Sequence, residues 1–144
     1  MENSRSEGLS RFCTALEPDG RIAAIYLFGS HARGTATALS DIDLAILLHS
    51  DLDESRFFSL RLDYITRAMQ TLHTEKVDVV ILNNAPLHLA YEIVSHGILL
   101  VDRNPGYRVA FEADHIGRFL DLKPFLAVQL DALREQLNRG TFFD

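Results

Sequence analysis

An α/β sandwich is the fold class this 144-residue chain predicts, and three observations carry the prediction. Short apolar, β-branched runs alternate with longer segments whose apolar residues recur at helical spacing, the pattern of strands and helices taking turns. Turn-forming residues stand at the junctions, at Pro18-Asp19-Gly20, Gly29, Asn83-Asn84 and Gly97. The length suits one domain over residues 1–144, large enough to bury around two-thirds of its unfolded surface. No internal repeat, low-complexity segment or long linker interrupts it.

Taken in order, Leu9, Phe12, Cys13 and Leu16 share one helical face, so a short amphipathic helix precedes the Pro18 turn, with Cys13 in the core. Ile22 to Phe28 and Ile42 to Leu48 are continuous apolar runs that read as buried strands. About a dozen residues separate them, short for a helical crossover, so antiparallel pairing is open to them. Asp51 to Glu54 supplies acidic residues for the start of a helix whose stripe Phe58, Leu62, Ile65, Met69 and Leu72 is expected to pack in the core. Val77 to Leu82 is a third strand. Pro86 opens a helix through about Ser95 that stops at Gly97, and Ile98 to Val101 is a last short strand. Beyond Pro105 the pattern is helical, broken or kinked at Pro124, because proline removes a backbone donor and disfavours helix in the residue before it. Leu126, Leu130, Leu133 and Leu137 make a narrow apolar seam, expected to pack on the chain's own sheet; the alternative is a surface for a partner helix or a second copy.

The chemistry concentrates between the first two strands. Gly29-Ser30 ends the first strand, ten residues follow (His31 to Ser40), and Asp41-Ile42-Asp43 opens the second. A buried strand ending at glycine can turn tightly with its N–H groups outward, a seat for phosphate. Asp41 and Asp43 lie two apart, so they project from one side. Two adjacent carboxylates repel, and a divalent cation relieves them; hard oxygens that leave room for water and phosphate suit Mg²⁺. Asp-x-Asp alone is most often a solvated turn or helix cap, and Gly-Ser alone is weaker still. Their separation and their place between two apolar strands favour the functional reading.

Asp78 is the only charged residue in the third strand. It either reaches solvent or Lys76, or joins Asp41 and Asp43 in a two-metal site if the strands are neighbours, the arrangement used for in-line phosphoryl or nucleotidyl transfer. Arg33, three residues after Ser30, suits either a phosphate or an ion pair with a nearby acid.

Gly29, Ser30, Asp41, Asp43 and Asp78, within FGSHARG and SDIDLAIL, resemble the signature of the DNA polymerase β-like nucleotidyltransferase superfamily. Within it the likeness is to the minimal nucleotidyltransferases, and among these to the MntA-type antitoxins of HEPN/MNT toxin–antitoxin pairs. The likeness runs from the strand at Ile22 to the helical C-terminus. It implies a nucleotidyltransferase fold, a mixed sheet of about four or five strands flanked by helices with a long C-terminal helical segment. It further implies two Mg²⁺ ions, ATP as substrate, and transfer of AMP to a tyrosine of a partner HEPN ribonuclease toxin, silencing it. In such proteins the Gly-Ser turn holds the triphosphate, the first two aspartates bind both metals, and the third completes one metal site and assists the acceptor hydroxyl. Transfer to a small hydroxylated molecule, such as an aminoglycoside, and steric neutralisation of a toxin without catalysis are the alternatives.

Net charge is −6, from 14 basic and 20 acidic residues. With no cluster of Lys or Arg, this argues against direct nucleic-acid binding. Cys13 is the only cysteine, so no intramolecular disulfide forms, in keeping with a reducing compartment. The polar N-terminus lacks an apolar signal core, and no apolar run approaches the ~20 residues that span a bilayer; the expected location is cytoplasmic. A homo-oligomer is left open. Six histidines without short ligand spacing argue against zinc. Ser30 lacks the Gly-x-Ser-x-Gly elbow of a hydrolase nucleophile.

Overall fold

The computed structural model describes residues 2–139. Its elements are α1 (Glu2–Ala15), β1 (Ile22–Phe28), α2 (Ser30–Arg33), β2 (Ile42–Leu48), α3 (Phe57–Leu72), β3 (Val77–Ile81), α4 (Leu87–His96), β4 (Ile98–Asp102) and α5 (Pro105–Arg139). The four strands form one mixed sheet in the order β3-β2-β1-β4. β1 is antiparallel to both β2 and β4, while β2 and β3 run parallel with α3 in the connection between them. The short β1–β2 connection thus makes an antiparallel pair, and the longer β2–β3 connection leaves room for a helix to return the chain in the same direction.

Both faces of the sheet are covered, which is why β1 and β2 are apolar runs rather than alternating ones. On one face Ile22, Ile25 and Leu27 of β1 and Leu44, Ile46 and Leu48 of β2 pack against Phe12 and Leu16 from the α1 side and Tyr64 and Ala68 of α3. On the other, Ala23, Ala24 and Tyr26 of β1 and Ala45 and Leu47 of β2 meet Ala90 and Ile93 of α4. Alanines make up half of the buried residues in this second layer. The β1–β2 register slips between Ile22 and Ala24. The extra residue lets Ala23 and Ala24 both face α4 while Ile22 and Ile25 face α3.

Two expectations about helices need correction. The face of α3 that enters the core is Phe57, Leu60, Tyr64 and Ala68, whereas Phe58 is 68% exposed and Leu62 48% exposed. Ile65 and Leu72 keep partial contact with the core. The sequence offers two overlapping apolar stripes, and the one holding the aromatic Tyr64 is buried. A short turn at Glu54–Arg56, capped by Asp53 accepting from the Ser55 amide, delays the helix to Phe57. Second, α5 is one helix through Pro124, and Leu126, Leu130, Leu133 and Leu137 are exposed instead of lying on the sheet. Only the first part of α5 reaches the second apolar layer, through Tyr107 and Phe111. Proline can sit inside because the carbonyl it leaves without a donor, that of Leu120, belongs to an exposed turn where water can serve.

α5 is anchored to the sheet by polar contacts. The Tyr26 hydroxyl donates to Glu112 at 2.6 Å, and Arg108 bridges Glu112 and Asp102 at 3.0 Å each. Among the described residues, no helix is long and apolar enough to cross a membrane.

Candidate active site

The three acids singled out from the sequence lie at the start of β2 and in β3, which are neighbouring strands of the sheet. Ile42 turns into the α1/α3 core, so by strand alternation Asp41 and Asp43 face the opposite side, toward the α4 layer. In the β2–β3 ladder Asp43 and Asp78 are direct partners, and across the β1–β2 ladder Asp43 stands opposite Phe28, the residue before Gly29. The parallel pairing of β2 with β3 therefore sets Asp78 beside Asp43.

Gly29 is fixed twice over. Its φ of 73° lies in the region that side chains rarely adopt, and a Cβ built on it would run into the Asp43 carboxylate. The backbone of the turn is thus held directly against the acid. Gly29 precedes α2, and its carbonyl accepts from the Ala32 and Arg33 amides; Gly34, at φ 74°, closes that single turn with its N–H on the Ser30 carbonyl.

Burial pushes the Asp43 carboxyl above the usual carboxylate range, and the neighbouring charges of Asp78 and Asp41 push in the same direction, opposed in part by His31 and Arg33. No arginine or lysine is in ion-pair contact with Asp41 or Asp43 among the described residues. Asp78 is different. Arg61 of α3 donates Nη2–H to Asp78 Oδ1 at 2.9 Å, and the Val79 amide donates to the same oxygen at 2.9 Å. Lys76, the partner weighed from the sequence, instead donates to the Ala38 carbonyl. Among the described residues no group of three His, Cys, Asp or Glu side chains stands close enough, as they lie, to hold a metal ion.

Arg33 pairs with Glu92 of α4 at 3.7 Å, both side chains about half exposed. This is the ion-pair option of the two that the sequence left open, though it is loose enough to yield to a stronger anion. His31 Nδ1 accepts from Arg5 of α1 at 2.7 Å. It lines a cavity of about 510 Å³ with Arg5, Thr37, Ser40, Leu72 and Lys76. Ile42 and Leu72 in its wall belong to the α1/α3 layer, so it opens on the other face of the sheet from the acids. Arg61 and Glu92 escaped sequence reasoning, because each reaches the site from a separate helix and neither carries a local motif.

Residues 13–106 match the family described as polymerase beta, nucleotidyltransferase. A comparison with curated protein sequences finds no match. Among solved structures, the chain is similar to one in a toxin–antitoxin complex with AMP-PNP, at 25% identity and a TM-score of 0.68 over 88% of this chain and 96% of that one. It is similar also to a chain of an MntA–HepT toxin–antitoxin complex, at 22% identity and a TM-score of 0.64 over 93% and 99%. A third likeness is to a chain in a complex of tri-AMPylated Shewanella oneidensis HEPN toxin with MNT antitoxin, at 22% identity and a TM-score of 0.66 over 93% and 99%. The last two speak for the fold, and the family match spans the sheet, the glycine turn and all three acids: this chain belongs to the polymerase beta nucleotidyltransferase family.

Proposed function

We propose that this chain is a Mg²⁺-dependent protein adenylyltransferase, an antitoxin that transfers AMP from ATP to a tyrosine of a cognate HEPN toxin. The observation that carries the reading is the seating of the Gly29 turn against Asp43, with Asp41 beside it and Asp78 across the β2–β3 ladder. Phosphate held on the turn would lie next to the acids. The family match gives the reaction class. The complexes with AMP-PNP and with tri-AMPylated toxin support ATP as the donor and a HEPN toxin as the acceptor.

The donor set fits magnesium. Asp41, Asp43 and Asp78 offer hard carboxylate oxygens, and the first two have no cationic partner of their own. Bound there, two Mg²⁺ ions would offset the charge of the triphosphate and of the departing pyrophosphate. The chain's own groups do the rest. Gly29 and Ser30 hold the phosphates, Arg33 exchanges Glu92 for a phosphate oxygen, and Asp41 and Asp43 would hold the ions that offset the phosphate charge. The tyrosine oxygen bonds to the α-phosphorus, the bond from that phosphorus to the bridging oxygen breaks, pyrophosphate leaves, and the hydroxyl proton passes to Asp78.

The test is intact-protein mass spectrometry of the cognate HEPN toxin after incubation with this chain and Mg²⁺-ATP, beside a control carrying Asp41→Ala and Asp43→Ala. A gain of one or more AMP units that is lost in the control supports the reading. Stable complex formation with unchanged mass overturns it in favour of steric neutralisation. Pyrophosphate release that depends on a small hydroxylated acceptor and ignores the toxin points to small-molecule transfer instead.

A further inference from the structure

We propose that Arg61 is a positioning residue for the metal site: it holds the Asp78 carboxylate by one oxygen so that the other is presented to a divalent cation shared with Asp43. This rests on the reading of Asp78 as a metal ligand given above. The geometry is a closed knot of three residues. Arg61 Nε donates to the Val79 carbonyl at 2.6 Å, its Nη2 donates to Asp78 Oδ1 at 2.9 Å, and the Val79 amide donates to that same Oδ1 at 2.9 Å. β3 is an edge strand with only β2 beside it, and the knot occupies both outward-facing backbone groups of Val79, fixing the strand and the acid together. Both donors converge on Oδ1, which leaves Oδ2 for a cation.

Magnitude separates positioning from simple stabilisation. The Arg61 and Asp78 side chains are 40% and 45% exposed, and an ion pair that open contributes little to folding. Orientation is another matter. Asp78 stands opposite Asp43 in the ladder, three like charges repel one another, and a carboxylate free to rotate would turn away from its neighbours. Groups that orient a metal ligand through its second oxygen typically matter 10- to 100-fold for metal affinity. The planar two-point grip on a carbonyl and a carboxylate is one that arginine makes and lysine cannot reproduce.

Mn²⁺ is the probe, with free Mn²⁺ measured by electron paramagnetic resonance in the presence of AMP-PNP, and melting in EDTA reports the fold. Arg61→Ala and Asp78→Asn should each weaken binding of the more weakly held Mn²⁺ about 10- to 100-fold, with Arg61→Lys in between. The double variant should bind within about threefold of Asp78→Asn alone, because Arg61 acts through Asp78. Wild-type Mn²⁺ binding by Arg61→Ala where Asp78→Asn is impaired, or effects that multiply in the double variant, would overturn the proposal while leaving Asp78 as a ligand. Wild-type binding by Asp78→Asn would overturn the ligand role itself and the proposal with it. Should Arg61→Ala melt as unfolded, Arg61→Lys and Arg61→Gln carry the same comparison.

Discussion

Asp19 and Asp43 are both acids set against the sheet, one just before β1 and the other at the start of β2, and their surroundings drive them in opposite directions. The Asp19 side chain is 8% exposed and accepts from Arg21 Nε and Nη2 and from the Tyr64 hydroxyl, each at 2.8 Å. The Arg21 hydrogen bonds, more than any other influence, lower its pKa to about 2. Asp43 has acids for neighbours instead, and burial together with Asp78 and Asp41 raises it. An acid that brings its own cation ties α3 to the turn before β1. Acids left facing each other are poorly satisfied until a cation comes from outside, and that is a cost in stability borne at the proposed metal site.

Removing the unsatisfied acids gives the largest effect expected. Asp41→Ala with Asp43→Ala should lower AMP transfer to the toxin by roughly a thousandfold or more, since losing metal-held charge stabilisation forfeits several kcal/mol. The melting temperature should not fall, because no ion pair is lost. Transfer assays paired with melting curves check both halves, and a large loss of stability would mean that the two clusters do the same job. Gly29→Ala comes next. It forces a Cβ into the Asp43 carboxylate at a φ of 73°, with strain of about 1–3 kcal/mol. Transfer should drop about tenfold to a hundredfold, with the Michaelis constant for ATP raised as well.

How far this contrast was visible beforehand differs from residue to residue. Asp41 and Asp43 were legible through the two-residue period of a strand, and Asp78 through its isolation in an apolar run, because both signals are local. Gly29 was legible as a turn, but its contact with Asp43 comes from the register of β1 on β2. Arg61 and Glu92 were hidden: each sits on a helix face whose rotation is set by packing, and α3 offers two apolar stripes of which the less obvious one is buried. The exposed seam of α5 failed for a related reason. An apolar stripe states that a helix face wants cover, and it does not state which surface supplies it.

The stabilising cluster is tested by Asp19→Asn. Losing charge-assisted hydrogen bonds from Arg21 should cost about 2 kcal/mol, a fall of about 4–8 °C in melting temperature at this chain length, with AMP transfer at permissive temperature unchanged. The pH dependence has a definite sign. The folded pKa of about 2 lies below the ordinary value of 3.8, so the unfolded chain takes up protons first as pH falls. The contribution of Asp19 is whole above about pH 4 and is lost as pH drops through about 2. Wild-type and Asp19→Asn melting curves should converge there.

Asp43→Asn is the smallest effect and the sharpest discriminator. Because the folded pKa of Asp43 is raised, the folded protein holds that proton more tightly than the unfolded chain does. Stability is therefore lost as pH rises from the ordinary carboxylate range through the raised value. Removing the charge should stabilise the metal-free protein in EDTA by less than about 1 kcal/mol, about 2 °C, the opposite of Asp19→Asn. Adding Mg²⁺ and AMP-PNP should reverse the ranking, because wild type gains binding energy that the variant lacks. A wild-type melting point above that of Asp43→Asn in EDTA would mean that Asp43 is satisfied from within the chain, and the distinction between a cluster that carries its cation and one that awaits it would fall.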